Sequence, residues 1–71
     1  MEMKEYLSHL DELTHEERSI FFYRLVFNLS CQETADRLRL SNKKVGRIFK
    51  MLQEQKELLL IKEYLLEQFG I

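Results

Sequence analysis

The chain has no proline, no tryptophan, two glycines (Gly46 and Gly70) and one cysteine, Cys31. A single thiol cannot close an internal disulfide, and no paired Cys/His spacing offers a metal cage, so neither a metal nor a cofactor is expected. The longest apolar run is Leu58–Ile61, far below the ~20 residues that cross a bilayer. Met1–Leu13 is too charged and polar for a secretory leader. Together with the lone thiol, these absences predict a cytoplasmic protein with no membrane partner. No glycine-rich phosphate loop, nucleophile elbow or carboxylate–histidine constellation occurs, and His9 and His15 read as surface or capping residues, so an enzyme is not expected. Without prolines, turn clusters or alternating strand patterns, the 71 residues read as one all-α domain. A domain of this size buries only about 60% of its unfolded surface. It needs dense helix packing or association with another chain.

The formal net charge of −1 conceals an uneven distribution. Arg37, Arg39, Lys43, Lys44, Arg47 and Lys50 lie within residues 37–50 with no acid among them. The rest of the chain holds five cations against all twelve acids, hence −7. Solvated helix faces account for most charge clusters, but such faces usually mix signs. A cluster of one sign is the electrostatic footprint of a polyanion site.

Local signals divide the chain into helices. Lys4–Glu12 places Tyr6, Leu7, Leu10 and Leu13 at helical spacing, a short amphipathic first helix. "THEE" sets Thr14 three residues before Glu17, and "SCQE" sets Ser30 three before Glu33. Both fit a capping box, in which hydroxyl and carboxylate satisfy first-turn amides reciprocally. The second helix then runs from about His15 to Phe27, with a broad apolar face including Ile20, Phe21 and Leu25. Asn28 suits the left-handed residue that ends many helices. The third helix covers about Cys31–Leu38, Arg39 and Leu40 make a short connection, and Ser41 caps the fourth. Two helices so joined must cross steeply, as in a helix-turn-helix. Ala35 is small enough for the crossing, and Leu38, Leu40, Val45 and Ile48 can close over it. Asn42, Lys43, Lys44, Arg47 and Lys50 are then left pointing outward. A helix presented in this way can donate to base edges in the major groove while neighbouring cations hold phosphates.

"LDELTHEERSIFFYRLVFNLSCQETADRLRLSNKKVGRIFKML" resembles region 4 of bacterial sigma factors, over roughly residues 10–52. The shared frame is Leu13, Glu17, Arg18, Leu29, Ser30, Glu33, Ala35, Leu38, Ser41 and Val45. The LuxR-type response-regulator domain shares most of it, with one residue fewer between the opening leucine and the glutamate. The twenty residues from Leu13 to Glu33 look like the sigma version. The resemblance implies that Asn42, Lys43 and Arg47 occupy base-reading positions, with Lys44 and Lys50 nearer phosphate; the charge cluster adds Arg37 and Arg39 to the expected DNA-binding residues. Four positions depart from the family pattern. Thr34 replaces an isoleucine or valine and weakens a core contact. Arg39 stands at a turn position often held by glycine. Lys44 replaces a threonine, and Gly46 lies inside the recognition helix, where glycine costs about 1 kcal/mol relative to alanine. The chain is too short to include the part that melts the −10 element, so the resemblance implies a free-standing module.

Beyond Leu52 the pattern ends, and no proline or glycine interrupts residues 47–69. On a helical wheel Leu58, Ile61 and Leu65 lie nearly opposite Val45, Phe49 and Leu52. One continuous helix would expose that second stripe, so either the helix breaks near Gln53–Lys56 and folds back, or another molecule covers the stripe. The stripe is large for a three-helix core, and this favours self-association through Leu58, Ile61, Leu65 and Phe69. Cys31 lies in the first turn of the third helix, where a passive small residue outweighs a redox switch.

The expectation is therefore an all-α, small helix-turn-helix domain of four to five helices with a long C-terminal helix. Residues 1–52 form the sigma region 4-like domain, and residues 53–71 form an extension for oligomerisation or docking. The expected function is sequence-specific transcription regulation, with double-stranded DNA and a second copy of the chain as partners. The alternative is a protein-interaction module with little DNA binding, either an RNA polymerase-binding adaptor or a decoy of the sigma/anti-sigma type.

Overall fold

Five successive helical stretches, joined by turns of two to four residues, account for most of the described residues in a computed structural model that describes residues 3–69. The helices are α1 (Met3–Asp11), α2 (His15–Ile20) continuing into a π-helical segment (Phe21–Val26), α3 (Cys31–Leu38), α4 (Asn42–Gln53) and α5 (Lys56–Phe69). The fold is all-α among the described residues, as the composition predicts. The ends of the two expected segments, residues 1–2 and 70–71, lie outside the described residues.

The helix starts form where the cap residues predict. The Thr14 hydroxyl accepts from the Glu17 amide at 3.2 Å, and the Glu17 carboxylate accepts from the Thr14 amide at 2.9 Å. Ser30 and Glu33 repeat the arrangement at 3.1 and 3.2 Å. Ser41 accepts from the Lys44 amide at 3.1 Å, but lysine at the third helical position cannot return the bond. Each cap satisfies amides that the first helical turn leaves without partners.

The helix ends are equally local in origin. Asn28 takes φ 58°, the left-handed conformation anticipated for it. Arg39 takes φ 58° and ψ 42°. Its amide and that of Leu40 both bond to the Ala35 carbonyl, a C-terminal closure more often built on glycine. Arg39 thus adopts, with a side chain, the left-handed conformation that glycine takes without strain.

Burial of the apolar faces holds these helices together. Ile20, Phe21, Val45, Leu52, Leu58 and Ile61 have no exposed surface, and Leu13, Leu25, Val26 and Ala35 complete one cluster with them. Ala35 of α3 and Val45 of α4 are both buried in this cluster, and the two helices pack against each other. Thr34 is also wholly buried. Its hydroxyl donates to the Ser30 carbonyl at 2.9 Å, so this side chain fills the core without an unsatisfied polar atom.

The tail corrects the expectation of a separate extension. The helix breaks at Glu54–Gln55, where the Glu54 and Gln55 amides bond to the Met51 and Leu52 carbonyls at 3.3 and 3.1 Å. Helix α5 then folds back and packs chiefly along α1. Leu58 and Ile61, expected at an oligomer or docking surface, are buried in the chain's own core, and Leu65 packs against it. The physical reason is the opposition of the two apolar stripes, which a straight helix cannot turn towards one core. Of the four residues assigned to that surface, Phe69 alone is exposed, at 68%.

Two substitutions test this architecture. Leu58→Ala is expected to cost about 2–5 kcal/mol of unfolding free energy, measured by urea denaturation; a loss under about 0.5 kcal/mol, as for surface substitutions, contradicts a core role. Arg39→Gly is expected to raise stability by up to about 1 kcal/mol, because glycine relieves the left-handed strain while adding freedom to the unfolded chain.

Candidate functional site

The helix α4 displays the cationic segment, and its orientation is set from the inside. At about 100° per residue, Val45, Ile48, Phe49 and Leu52 occupy one side of α4 and face the core. Lys43, Gly46, Arg47 and Lys50 occupy the opposite side, and all four are exposed. Phe49 is fixed by a second contact, the Arg24 guanidinium lying 4.1 Å from its ring centroid. Arg24 in turn donates from Nη1 to the Leu29 carbonyl at 2.6 Å. Arg24, on the π-helical segment, thus adds one contact to the core burial that orients α4.

The six clustered cations are not equivalent. Lys43, Arg47 and Lys50 share the outward side of α4. Arg37 and Arg39 are exposed at the end of α3 and in the turn, and Arg37 there also suits the negative end of its own helix. None of these five forms an ion pair among the described residues. Lys44 differs. Its ammonium pairs with the Glu16 carboxylate of α2 at 3.1 Å, and both side chains are partly exposed. A pair in such a setting is worth at most about 1 kcal/mol, and it turns Lys44 towards α2. Asn42, assigned to base reading, donates to the Gln32 side chain at 2.7 Å, and Gln32 donates to Asp36 at 2.9 Å. Asn42 is thus engaged with α3. The Cys31 thiol donates to the Asn42 carbonyl at 3.5 Å, joining the first turns of α3 and α4.

Local electrostatics set α4 apart from its neighbours. The first turns of α2 and α3 carry Glu16, Glu17 and Glu33, whereas α4 has no acid in its first turn and carries Lys43 and Lys44 there. A cation at the positive end of a helix dipole is unfavourable by about 0.3–1 kcal/mol. Glu16 offsets this for Lys44, and nothing among the described residues does so for Lys43. Gly46 adds a second local cost. Nothing lies within 4 Å of the position its Cβ would take, so packing inside this chain does not require glycine. The result is a strip of bare backbone between Lys43, Arg47 and Lys50.

Two arginines have roles that sequence reasoning missed. Arg18 donates from Nε to the Leu10 carbonyl at 3.0 Å and from Nη2 to the Leu13 carbonyl at 3.2 Å, closing the end of α1. Arg24 has the role already described. Both are cations outside the clustered segment, and their use is set by backbone carbonyls that spacing alone does not locate. Among the described residues no helix is long and apolar enough to cross a membrane, and no group of three His, Cys, Asp or Glu side chains could hold a metal ion. Comparison with protein-family models, with curated proteins and with solved structures returned no match.

If Lys43 opposes its own helix, Lys43→Glu will raise stability by about 1 kcal/mol at low ionic strength, and the gain will shrink as salt is added. Urea denaturation at two salt concentrations measures both effects; a loss of stability contradicts the account.

Proposed function

We propose that this chain is a sequence-specific, DNA-binding transcription regulator of the cytoplasm, related in kind to the sigma region 4 modules that its sequence resembles. Residues 42–50 of α4 enter the major groove. The observation that carries this reading is the outward side of α4, where Lys43, Arg47 and Lys50 stand without carboxylate partners around an open glycine. That side is assembled at a cost to the helix itself, and a polyanion would repay it (each ammonium or guanidinium that meets a phosphate releases condensed counterions). The bare strip at Gly46 lets a sugar–phosphate backbone or base edge come close. Lys43 and Arg47 are placed for base edges, and Lys50, Arg37 and Arg39 for phosphates. Lys44 and Asn42 join only by leaving Glu16 and Gln32. The acids on the rest of the surface disfavour binding through other faces.

A second reading is favoured by one observation. Phe22, Val26, Phe27, Leu65 and Phe69 line an apolar cleft of about 280 Å³, and Phe27 and Phe69 are 47% and 68% exposed. A second copy of the chain seated there would suit the regulator reading, as a homodimer, whereas the second reading seats RNA polymerase or an anti-sigma protein there. In that reading the chain is an adaptor or decoy with little affinity for DNA.

Titration against random duplex DNA at low and moderate salt separates the two. The regulator reading expects binding whose logarithm falls with log salt at about 0.9 per phosphate contact. Lys50→Ala should weaken all sequences alike. Arg47→Ala should erode preference among sequences by about 1–3 kcal/mol, the worth of a good bidentate base contact. Absence of salt-sensitive binding at low salt overturns the regulator reading in favour of the adaptor.

A further inference from the structure

A cleft of about 420 Å³ opens where the end of the π-helical segment, the C-terminal half of α4 and the middle of α5 meet. Its size lies in the range of small-molecule sites, roughly 300–1,000 Å³. Two cations line it, Arg24 and Lys62, with Asn28 and Gln53 as neutral polar groups and Leu25, Val26, Phe49 and Leu66 as an apolar floor. No carboxylate lines it, and neither cation forms an ion pair among the described residues. In a chain with more acids than bases, two cations sharing a carboxylate-free hollow call for an explanation.

Arg24 supplies the sharper observation. A guanidinium has five N–H donors, and the one acceptor this one meets among the described residues is the Leu29 carbonyl. Its Nε–H is shielded from solvent and has no partner. A buried unpaired donor is costly, more so on a charged group. The contact with Phe49 and the Leu29 bond hold the guanidinium in place, and while its Nε–H is shielded, the terminal N–H groups not bonded to Leu29 remain as an unpaired planar fork. Such a fork matches a planar, two-oxygen anion better than a spherical or tetrahedral one. Lys62 adds a second positive charge, and the apolar floor offers burial to whatever carries the anion.

We propose that this cleft binds a small organic carboxylate, with the carboxylate between Arg24 and Lys62 and its apolar body against Val26, Phe49 and Leu66. The site is built from side chains other than the outward cations of α4, so it stands or falls independently of DNA binding. Benzoate is a suitable probe, with benzyl alcohol as its neutral counterpart and inorganic phosphate as a tetrahedral anion. Titration of the isotope-labelled full chain, followed by NMR, should show saturable benzoate shifts centred on Arg24, Asn28, Gln53 and Lys62. Benzyl alcohol and phosphate should each bind at least about tenfold more weakly, and Lys62→Met, which keeps an apolar stem, should weaken benzoate by about tenfold. Arg24→Lys should weaken it comparably. Arg24 also supports Phe49, so if that variant unfolds, Lys62→Met decides the outcome alone. Absence of saturable binding, shifts centred elsewhere, or benzoate affinity unchanged by Lys62→Met overturns the site. Benzyl alcohol binding as tightly as benzoate reduces it to an apolar hollow, and phosphate doing so makes it a generic anion site; either result overturns the proposed ligand class.

Discussion

Two apolar stripes on opposite sides of one stretch of sequence have to reach the same core, and the rest of the molecule is arranged around that requirement. Val45 and Leu52 bury the inner side of α4, while Leu58 and Ile61 would point away from them on an unbroken helix. The break at Glu54–Gln55 reconciles the two by folding α5 back along α1. Burial of Leu58 and Ile61 gives a chain of this size a fuller core, since small domains are limited by the surface they can remove from water. It also fixes the inner side of α4, and therefore which side chains α4 presents outward.

Along the chain, local signals and tertiary requirements mostly agree, as expected of a sequence that specifies one fold. Thr14, Ser30 and Ser41 cap helices, Asn28 ends one, and Glu16, Glu17 and Glu33 favour their helix starts. The exceptions gather in one region. Arg39 holds a left-handed backbone, Lys43 and Lys44 occupy the wrong end of a dipole, and Gly46 weakens a helix that has room for a side chain. These three local costs fall within eight residues, beside one exposed cationic surface.

Much of this was legible in the sequence because it depends on near neighbours. The two capping boxes, the left-handed Asn28, the turn between α3 and α4 and the alternation of inward and outward residues on α4 all follow from spacings of a few positions. Features set by distant partners were not legible. Nothing near Lys44 announces Glu16, twenty-eight residues away, and nothing near Arg24 announces Phe49. The break before α5 carries no proline or glycine, so only the competition between apolar faces marks it, and that competition admitted two outcomes. For Thr34, the departure from the resembled pattern suggested a weakened core contact, yet its hydroxyl finds a carbonyl one turn earlier and the side chain packs.

The π-helical segment at Phe21–Val26 has a consequence for the spacing of the two capping boxes on either side of it. A wide turn accommodates one residue more than an α-turn before its hydrogen bond closes, and the Leu29 amide reaches back six residues, to Tyr23, at the end of this one. The wide turn thus takes up one residue more than α-helical winding would between the caps at Thr14 and Ser30. The interval from Leu13 to Glu33 is therefore elastic by one.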